Sequence, residues 1–317
     1  MGKKVAFPFR HHASLVCPEA KQMLRDAGFE LICNDTGEKL SASEQHEMIR
    51  DAFAVVAGTE SYDREMLTGC DSLRAVIRFG VGTDNFDLAA MREMGIQVGV
   101  IANYNAVAEF TLTLMLSALK NYPRFDMAVR EGKWSRFPMR ELTGKTVSII
   151  GYGRIGRRLS ELLSGFHTRL LAYDPYIDEE AARQRGVTPC GFEQALSEAD
   201  VVSLHLPATP DTFHIINRDT IARMKDGAYL INTSRGSLVD EQALYEALTQ
   251  GKLSGAGLDV YEVEPVTADN PLFSLDNDVL SPHCAALTYE TNYNGGIICA
   301  NSIINVLNGG KPVYSLW

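Results

Sequence analysis

The sequence has no long apolar run, no excess of positive charge and no paired cysteines. The most apolar stretch, around Leu112–Leu119, is interrupted by Thr113 and Ser117. It falls far short of the ~20 apolar residues that a membrane-spanning helix needs. Lys and Arg number 30 against 40 Asp and Glu, a formal charge of −10 over 317 residues. Net charge therefore argues against nucleic acid or anionic lipid as a partner. The six cysteines (Cys17, Cys33, Cys70, Cys190, Cys284 and Cys299) form no CxxC pair. They read as reduced thiols of a cytoplasmic protein. The seven histidines show no metal-ligand spacing, and adjacent His11 and His12 have no HxxxH partner, so no metal is expected. Met1–Ala6 lacks a signal-peptide pattern, and Ala6 stands where N-myristoylation needs Ser or Thr.

What is present is globular. Hydrophobic residues make up 45% and charged residues 22%, and the length suits about two domains. Short apolar runs alternate with helical spacing through the first hundred residues. Val5–Phe9, Phe29–Cys33, Phe53–Ala57, Leu73–Phe79 and Ile96–Ile101 read as buried strands. Between them fall a helix over Pro18–Ala27, a capping box at Ser41 and Glu44, and a short helix opened by Asp87. A long helical pattern from Ala106 to Val129 should kink at Pro123. After a polar connector, Gly132–Gly144, a second strand–helix series begins at Val147 and runs to Ser281. A final helix over Tyr289–Leu307 stops at Gly309 and Gly310. The rhythm predicts parallel sheets with helices on both faces.

One motif carries a mechanism. The strand Val147–Ile150 leads into Gly151-Tyr152-Gly153-Arg154-Ile155-Gly156, which opens an amphipathic helix. The next strand ends at Asp174, eighteen residues beyond Gly156. A GxGxxG alone is weak, but this three-part context fits a dinucleotide site. Gly151 permits the tight turn, Gly153 admits a pyrophosphate and Gly156 lets helix and strand pack. Free N–H groups at the helix start bind the phosphate charge. Asp174 can accept from ribose hydroxyls and repel a 2′-phosphate, which favours NAD.

Three further strand ends carry chemistry. Asn232-Thr233-Ser234-Arg235-Gly236 places a guanidinium where open α/β sheets bind ligands. Arg235 can hold a carboxylate with two parallel hydrogen bonds, or it can cap a surface helix. Asp259, Glu262 and Glu264 follow another strand, and each could be a solvated loop charge. Ser281-Pro282-His283 ends a third strand. His283 suits a general acid–base, because imidazole titrates near neutrality, or a purely structural role.

Taken together these residues resemble the D-isomer-specific 2-hydroxyacid dehydrogenase family, most closely its phosphoglycerate dehydrogenase branch. The likeness covers most of residues 50–290. It includes Arg78–Asn85, Asn105–Glu109, the Gly151–Gly156 turn with Asp174, His205-Leu206-Pro207, Asn232–Gly236, Asp259–Pro265 and Ser281–Ala285. The resemblance implies two doubly wound parallel-sheet lobes. A Rossmann NAD-binding domain over 104–284 would be inserted in a flavodoxin-like substrate-binding domain over 1–103 and 285–317. It implies that Arg235 binds the substrate carboxylate and carbonyl oxygen. His283 would move the proton, paired with Glu264, since a neighbouring carboxylate favours imidazolium. Gly80, Val81 and Gly82 would offer N–H groups to the carboxylate. The cofactor contacts would be Gly151, Gly153, Arg154, Ile155, Gly156, Asp174, His205, Pro207, Thr233, Asp259 and His283, with Asp259 near the nicotinamide carboxamide. The helix after Asn105 would help form a homodimer.

There are departures. Val98–Asn105 lacks the usual Asn-x-Pro-Gly turn and is about two residues shorter, and Ala285-Ala286-Leu287 replaces a commoner Gly- or Ser-containing stretch. The sequence ends at Trp317, so serine feedback through a regulatory extension is not expected. The resemblance implies that Arg78 and Arg136 meet a substrate phosphate, which favours a substrate with a second anionic group, such as 3-phosphoglycerate; Arg10, after the first strand, could also face the cleft, and Arg10 and Arg136 could equally be solvated surface arginines. Other 2-oxoacids, glyoxylate or hydroxypyruvate, are the alternative. A non-catalytic NAD(H)-binding regulator and an S-adenosylmethionine-dependent methyltransferase are the rival classes. The methyltransferase leaves Arg235, Glu264 and His283 without a use. Formate dehydrogenase chemistry is disfavoured, because Glu264 stands where an amide would be expected.

Overall fold

The computed structural model describes residues 2–9, 16–101 and 104–317. The chain divides into two compact units, residues 1–103 with 287–317, and residues 104–286.

In the first unit the order is β1 (Lys4–Phe7), α1 (Pro18–Asp26), β2 (Glu30–Cys33), α2 (Ala42–Ile49), β3 (Ala54–Ala57), α3 (Arg64–Leu67), β4 (Ala75–Arg78), α4 (Leu88–Glu93) and β5 (Gln97–Val100). The sheet is wholly parallel, ordered β2-β1-β3-β4-β5. Successive side chains of a strand point to opposite faces. Val5, Phe7, Val56 and Ile77 therefore pack on one side, and Ala6, Val55, Val76 and Val98 on the other. That is why these strands read as unbroken apolar runs. The Ser41–Glu44 capping box forms as expected.

The second unit continues with α5 (Tyr104–Lys120), α6 (Tyr122–Arg130), β6 (Thr146–Ile150), α7 (Arg154–Leu163), β7 (Arg169–Tyr173), α8 (Glu179–Gln184), β8 (Val187–Pro189), α9 (Phe192–Ser197), β9 (Val201–Leu204), α10 (Arg218–Arg223), β10 (Ala228–Asn232), α11 (Glu241–Thr249), β11 (Leu253–Leu258) and β12 (Asp278–Leu280). Its seven parallel strands run β12-β11-β10-β9-β6-β7-β8. The order reverses between β6 and β9, the switch point where such sheets bind ligands. Ile149 and Ile231 pack under α5 and α7, while Val202 and Leu230 pack under α9 and α11. The last helix, α12 (Tyr289–Leu307), returns to the first unit and packs on α1 and β4. Asn308 caps it, and Gly309 follows at φ 81°.

The expected kink at Pro123 is instead a break two residues earlier. Asn121 adopts φ 46° and ends the first helix, and Pro123 lies in the first turn of α6. Proline is favoured there because the first helical N–H groups have no intrahelical partner. Among the described residues no helix is long and apolar enough to cross a membrane, and no group of three or more His, Cys, Asp or Glu could hold a metal ion.

Candidate active site

The glycine turn sits at the switch point. Gly151 has φ 97°, and a Cβ there would meet the His205 backbone carbonyl at 2.5 Å. A Cβ on Gly156 would overlap the Gly151 carbonyl and lie 2.9 Å from Ile149. These two glycines are thus needed by the protein's own packing. Gly153 differs, because a Cβ there would enter open space. The N-cap Gly153 offers no side chain to cap the start of α7, and a helix start is where N–H groups face an anion. Asp174 stands beside this turn. Its Oδ2 accepts from the Tyr152 N–H and its Oδ1 from the Tyr176 N–H, both at 2.8 Å. An ionised carboxylate accepts about four hydrogen bonds, so two acceptor positions remain for ribose hydroxyls. The open space at Gly153, the uncapped helix start and the oriented Asp174 fit NAD.

Other residues expected at the cofactor lie at neighbouring strand ends. The His205 Nε2 lies 2.9 Å from Ser203 Oγ, and its buried Nδ1 has no partner among the described residues. Burial pushes His205 down to about 4, so the ring is neutral at neutral pH. Pro207 is exposed, and its carbonyl accepts from Thr212. Thr233 Oγ1 lies 2.8 Å from Thr111 Oγ1. Thr111 donates its one hydroxyl proton to the Val107 carbonyl at 2.7 Å, so Thr233 must be the donor between them.

Arg235, Glu264 and His283 come together at the carboxyl ends of β10, β11 and β12. The Asn232 side chain accepts from the Ser234 N–H at 3.0 Å and donates to the Arg235 carbonyl at 2.8 Å, which fixes the turn that carries Arg235. A Cβ on Gly236 would overlap the Tyr261 carbonyl. Only glycine lets this turn rest on the Tyr261–Glu262 backbone. Asp259 is fully buried. Its Oδ1 accepts from Ser281 Oγ at 2.6 Å and from the Cys284 N–H at 2.9 Å, and its Oδ2 accepts from the Ala285 N–H at 2.9 Å. Its carbonyl accepts from the His283 N–H at 2.8 Å. His283 has φ 52°, a strained region for a residue with a Cβ. The Asp259 bonds on both sides hold it there.

The His283 side chain is 51% exposed, and its Nδ1 lies 2.6 Å from Glu264 Oε2. Glu264 Oε1 accepts from the Tyr261 N–H at 3.0 Å. Burial pushes the Glu264 carboxyl up, but the His283 hydrogen bond, the Tyr261 N–H and the charges of His283 and Arg235 outweigh it and lower it overall. With Nδ1 turned to a carboxylate, Nε2 is left to exchange a proton with a ligand.

In the first unit, Arg78 ends β4 and folds over the loop that follows. Its Nε donates to the Gly82 carbonyl at 3.0 Å, and its Nη1 to the carbonyls of Phe79 at 3.2 Å and Ala57 at 3.4 Å. A Cβ on Gly80 would stand 3.1 Å from that guanidinium. Among the described residues, the N–H groups of Gly80, Val81 and Gly82 have no backbone partner, and Val81 is exposed. Arg136 is exposed on the connector. Arg10, and Ala102 and Asn103 of the shortened segment, lie outside the described residues.

The residues missed by sequence reasoning are those that hold the chemical groups. They include Ser281, Tyr261 and Gly236. Gly236 alone carried a signal, a glycine directly after a functional arginine.

Residues 112–285 match the family described as D-isomer specific 2-hydroxyacid dehydrogenase, NAD binding domain. A D-3-phosphoglycerate dehydrogenase of Archaeoglobus fulgidus is 38% identical over 305 residues, which is 94% of this chain and 57% of that protein. The chain thus spans little more than half of that relative. A glyoxylate reductase of Korarchaeum cryptofilum is 38% identical over 277 residues, covering 84% of this chain and 83% of the relative. The structure of a D-lactate dehydrogenase from Aquifex aeolicus, complexed with NAD and lactic acid, superposes with a TM-score of 0.83 at 29% identity. That match covers 97% of this chain and 96% of the other.

Proposed function

The chain belongs to the D-isomer-specific 2-hydroxyacid dehydrogenase family, and from this we propose that it interconverts a D-2-hydroxyacid and its 2-oxoacid with NAD. The carrying observation is the 2.6 Å contact between His283 and Glu264, with the Arg235 charge acting on Glu264. NAD, when bound, supplies or accepts the hydride at C2. The start of α7 with Gly153, Arg154 and Ile155 would hold its pyrophosphate, Asp174 its ribose, and Thr233 would face its nicotinamide. Arg235 clamps the substrate carboxylate and polarises the C2 oxygen, stabilising the negative charge that develops there. His283 gives its Nε2 proton to that oxygen during reduction and takes it back during oxidation. Glu264 keeps the imidazole oriented, with Nδ1 turned to its carboxylate and Nε2 toward the substrate.

In this reading the first unit is the substrate-binding domain, and the N–H groups of Gly80, Val81 and Gly82 receive a carboxylate. Arg78 and Arg136 favour a substrate with a second anion, such as 3-phosphoglycerate; glyoxylate and hydroxypyruvate are the alternative. The protein works as a cytoplasmic homodimer, consistent with six free thiols.

The deciding experiment follows NADH and NADPH consumption with a panel of phosphorylated and plain 2-oxoacids. Turnover with NADH is expected. His283→Ala should lose about 10²–10⁴-fold in kcat, the usual worth of a positioned acid–base, and keep its affinity for NADH. A variant with near-native kcat would exclude His283 as the proton carrier. No turnover with any acid would favour a non-catalytic NAD(H)-binding role.

A further inference from the structure

We propose that His214 and Glu262 form a positioning pair that holds the Glu264 carboxylate against His283. The proposal builds on the reading of Glu264 and His283 as the proton-transfer pair. Neither His214 nor Glu262 touches a reacting atom.

The segment that carries His214 is fastened to the turn after Arg235. The His214 N–H donates to the Ser237 carbonyl at 2.9 Å and the Ile216 N–H to the Leu238 carbonyl at 3.0 Å, and the Asp240 N–H donates back to Ile216 at 2.9 Å. His214 has φ 47°, an uncommon backbone state that this short ladder sustains. Its ring stacks on Phe213, with centroids 3.9 Å apart. Its Nε2 lies 2.8 Å from Glu262 Oε1, off the line of a hydrogen bond but well within ion-pair range.

Glu262 is held from a second side. Its N–H donates to Glu241 Oε1 at 2.6 Å, and its own Oε1 accepts from the Glu241 N–H at 3.0 Å. Glu241 is the first residue of α11, and its other oxygen accepts from Asn270 Nδ2 at 2.9 Å. The exchange brings two carboxylates together, which costs repulsion unless a cation faces them. Among the described residues, His214 is the basic side chain in ion-pair reach of Glu262, and no Lys or Arg pairs with Glu241.

The load passes to the site through Tyr261. Its backbone rests on Gly236, its N–H donates to Glu264 Oε1 at 3.0 Å, and its hydroxyl donates to the Ser281 carbonyl at 3.1 Å. The Tyr261–Glu262 backbone is therefore a ledge shared by the Arg235 turn, the Glu264 carboxylate and the His283 loop. Released from His214, Glu262 moves, and Glu264 two residues on moves with it.

The test is a kinetic double-mutant cycle with NADH and the best 2-oxoacid. His214→Gln should lower kcat by about 5- to 30-fold, inside the range of coupling between residues in one network, with the KM for NADH within about twofold. In a Glu264→Gln background the same change should alter kcat by less than about twofold, because there is no carboxylate left to position. An equal loss in both backgrounds, or no loss in the first, overturns the proposal. If His214→Gln does not fold, Glu262→Gln carries the same cycle. A wild-type chain without turnover would instead refute the functional reading. The coupling is then read from the ¹⁵N shifts of His283, which report its bond to Glu264. They move in His214→Gln if the pair positions Glu264 and stay fixed if it does not.

Discussion

At the scale of single residues, the groups that do chemistry and the groups that hold them differ in how openly the sequence shows them. Arg235, Glu264 and His283 each follow a strand within a short motif, so their types and places can be read in one pass. Asp259 follows a strand in the same way, but nothing local shows the clamp it forms, because its partners lie 22 to 26 residues away. The resemblance implies a place for it beside the nicotinamide. In the structure both its oxygens are engaged by the loop that carries His283. Asp259→Asn tests that geometry. An amide presents a donor where the carboxylate accepts N–H groups, leaving buried donors facing each other. The expected cost is about 1–3 kcal/mol of stability, seen as a lower urea midpoint. A fall in kcat should accompany it, because the loop around His283 loses side-chain bonds that help sustain its φ of 52°. A variant with a native midpoint and native kcat would show that the clamp does not matter.

At the scale of elements, strands with a pure apolar run were legible and short marginal ones were not. β3 is apolar and buried at every residue, and β6 is buried along its length and apolar except at Thr146 and Ser148. β8 has only three residues, one of them buried, and α3 and α8 are one or two turns long. Such segments lack a full period of pattern. The edge strand β12 holds a feature that no pattern reveals. Asp278 is partly buried, its buried Oδ2 has no partner among the described residues, and burial with the nearby Asp276 charge raises its carboxyl from 3.8 to about 7. The folded value lies above the unfolded one, so the folded state favours the protonated form. This contribution is complete below about pH 4 and is lost as pH rises through about 7. Asp278→Asn should remove that slope and stabilise the protein at pH 8 by about 1–3 kcal/mol, allowing for partial solvent screening. Urea midpoints of the two proteins at pH 5 and pH 8 check it. Parallel pH dependences would mean that Asp278 ionises at no cost.

At the scale of the whole molecule, the charge of −10 says little about a ligand. The proposed cofactor and substrate are anions, and local N–H groups and arginines must outweigh the field of the chain. Assembly is better marked. α6 has no buried residue, although it carries Tyr122, Met127 and Val129, each more than half exposed. The connector adds Trp134 at 81% and Met139 at 53%. Single exposed apolar side chains are ordinary, but five within one segment of eighteen residues make this the face on which the proposed homodimer is tested. A second copy is the occupant that needs no further component, and twofold pairing uses the same face on both chains. The resemblance alone implies a dimer contact, on the helix after Asn105, because exposure is invisible to periodicity. Light scattering should therefore give about twice the 34.9 kDa of the chain at micromolar concentration. Replacing Val129 and Trp134 with Glu should shift the population toward monomer while leaving far-ultraviolet circular dichroism unchanged, since neither side chain is in a core. A wild-type mass of one chain, or a dimer that withstands two buried like charges on each side, would place the interface elsewhere.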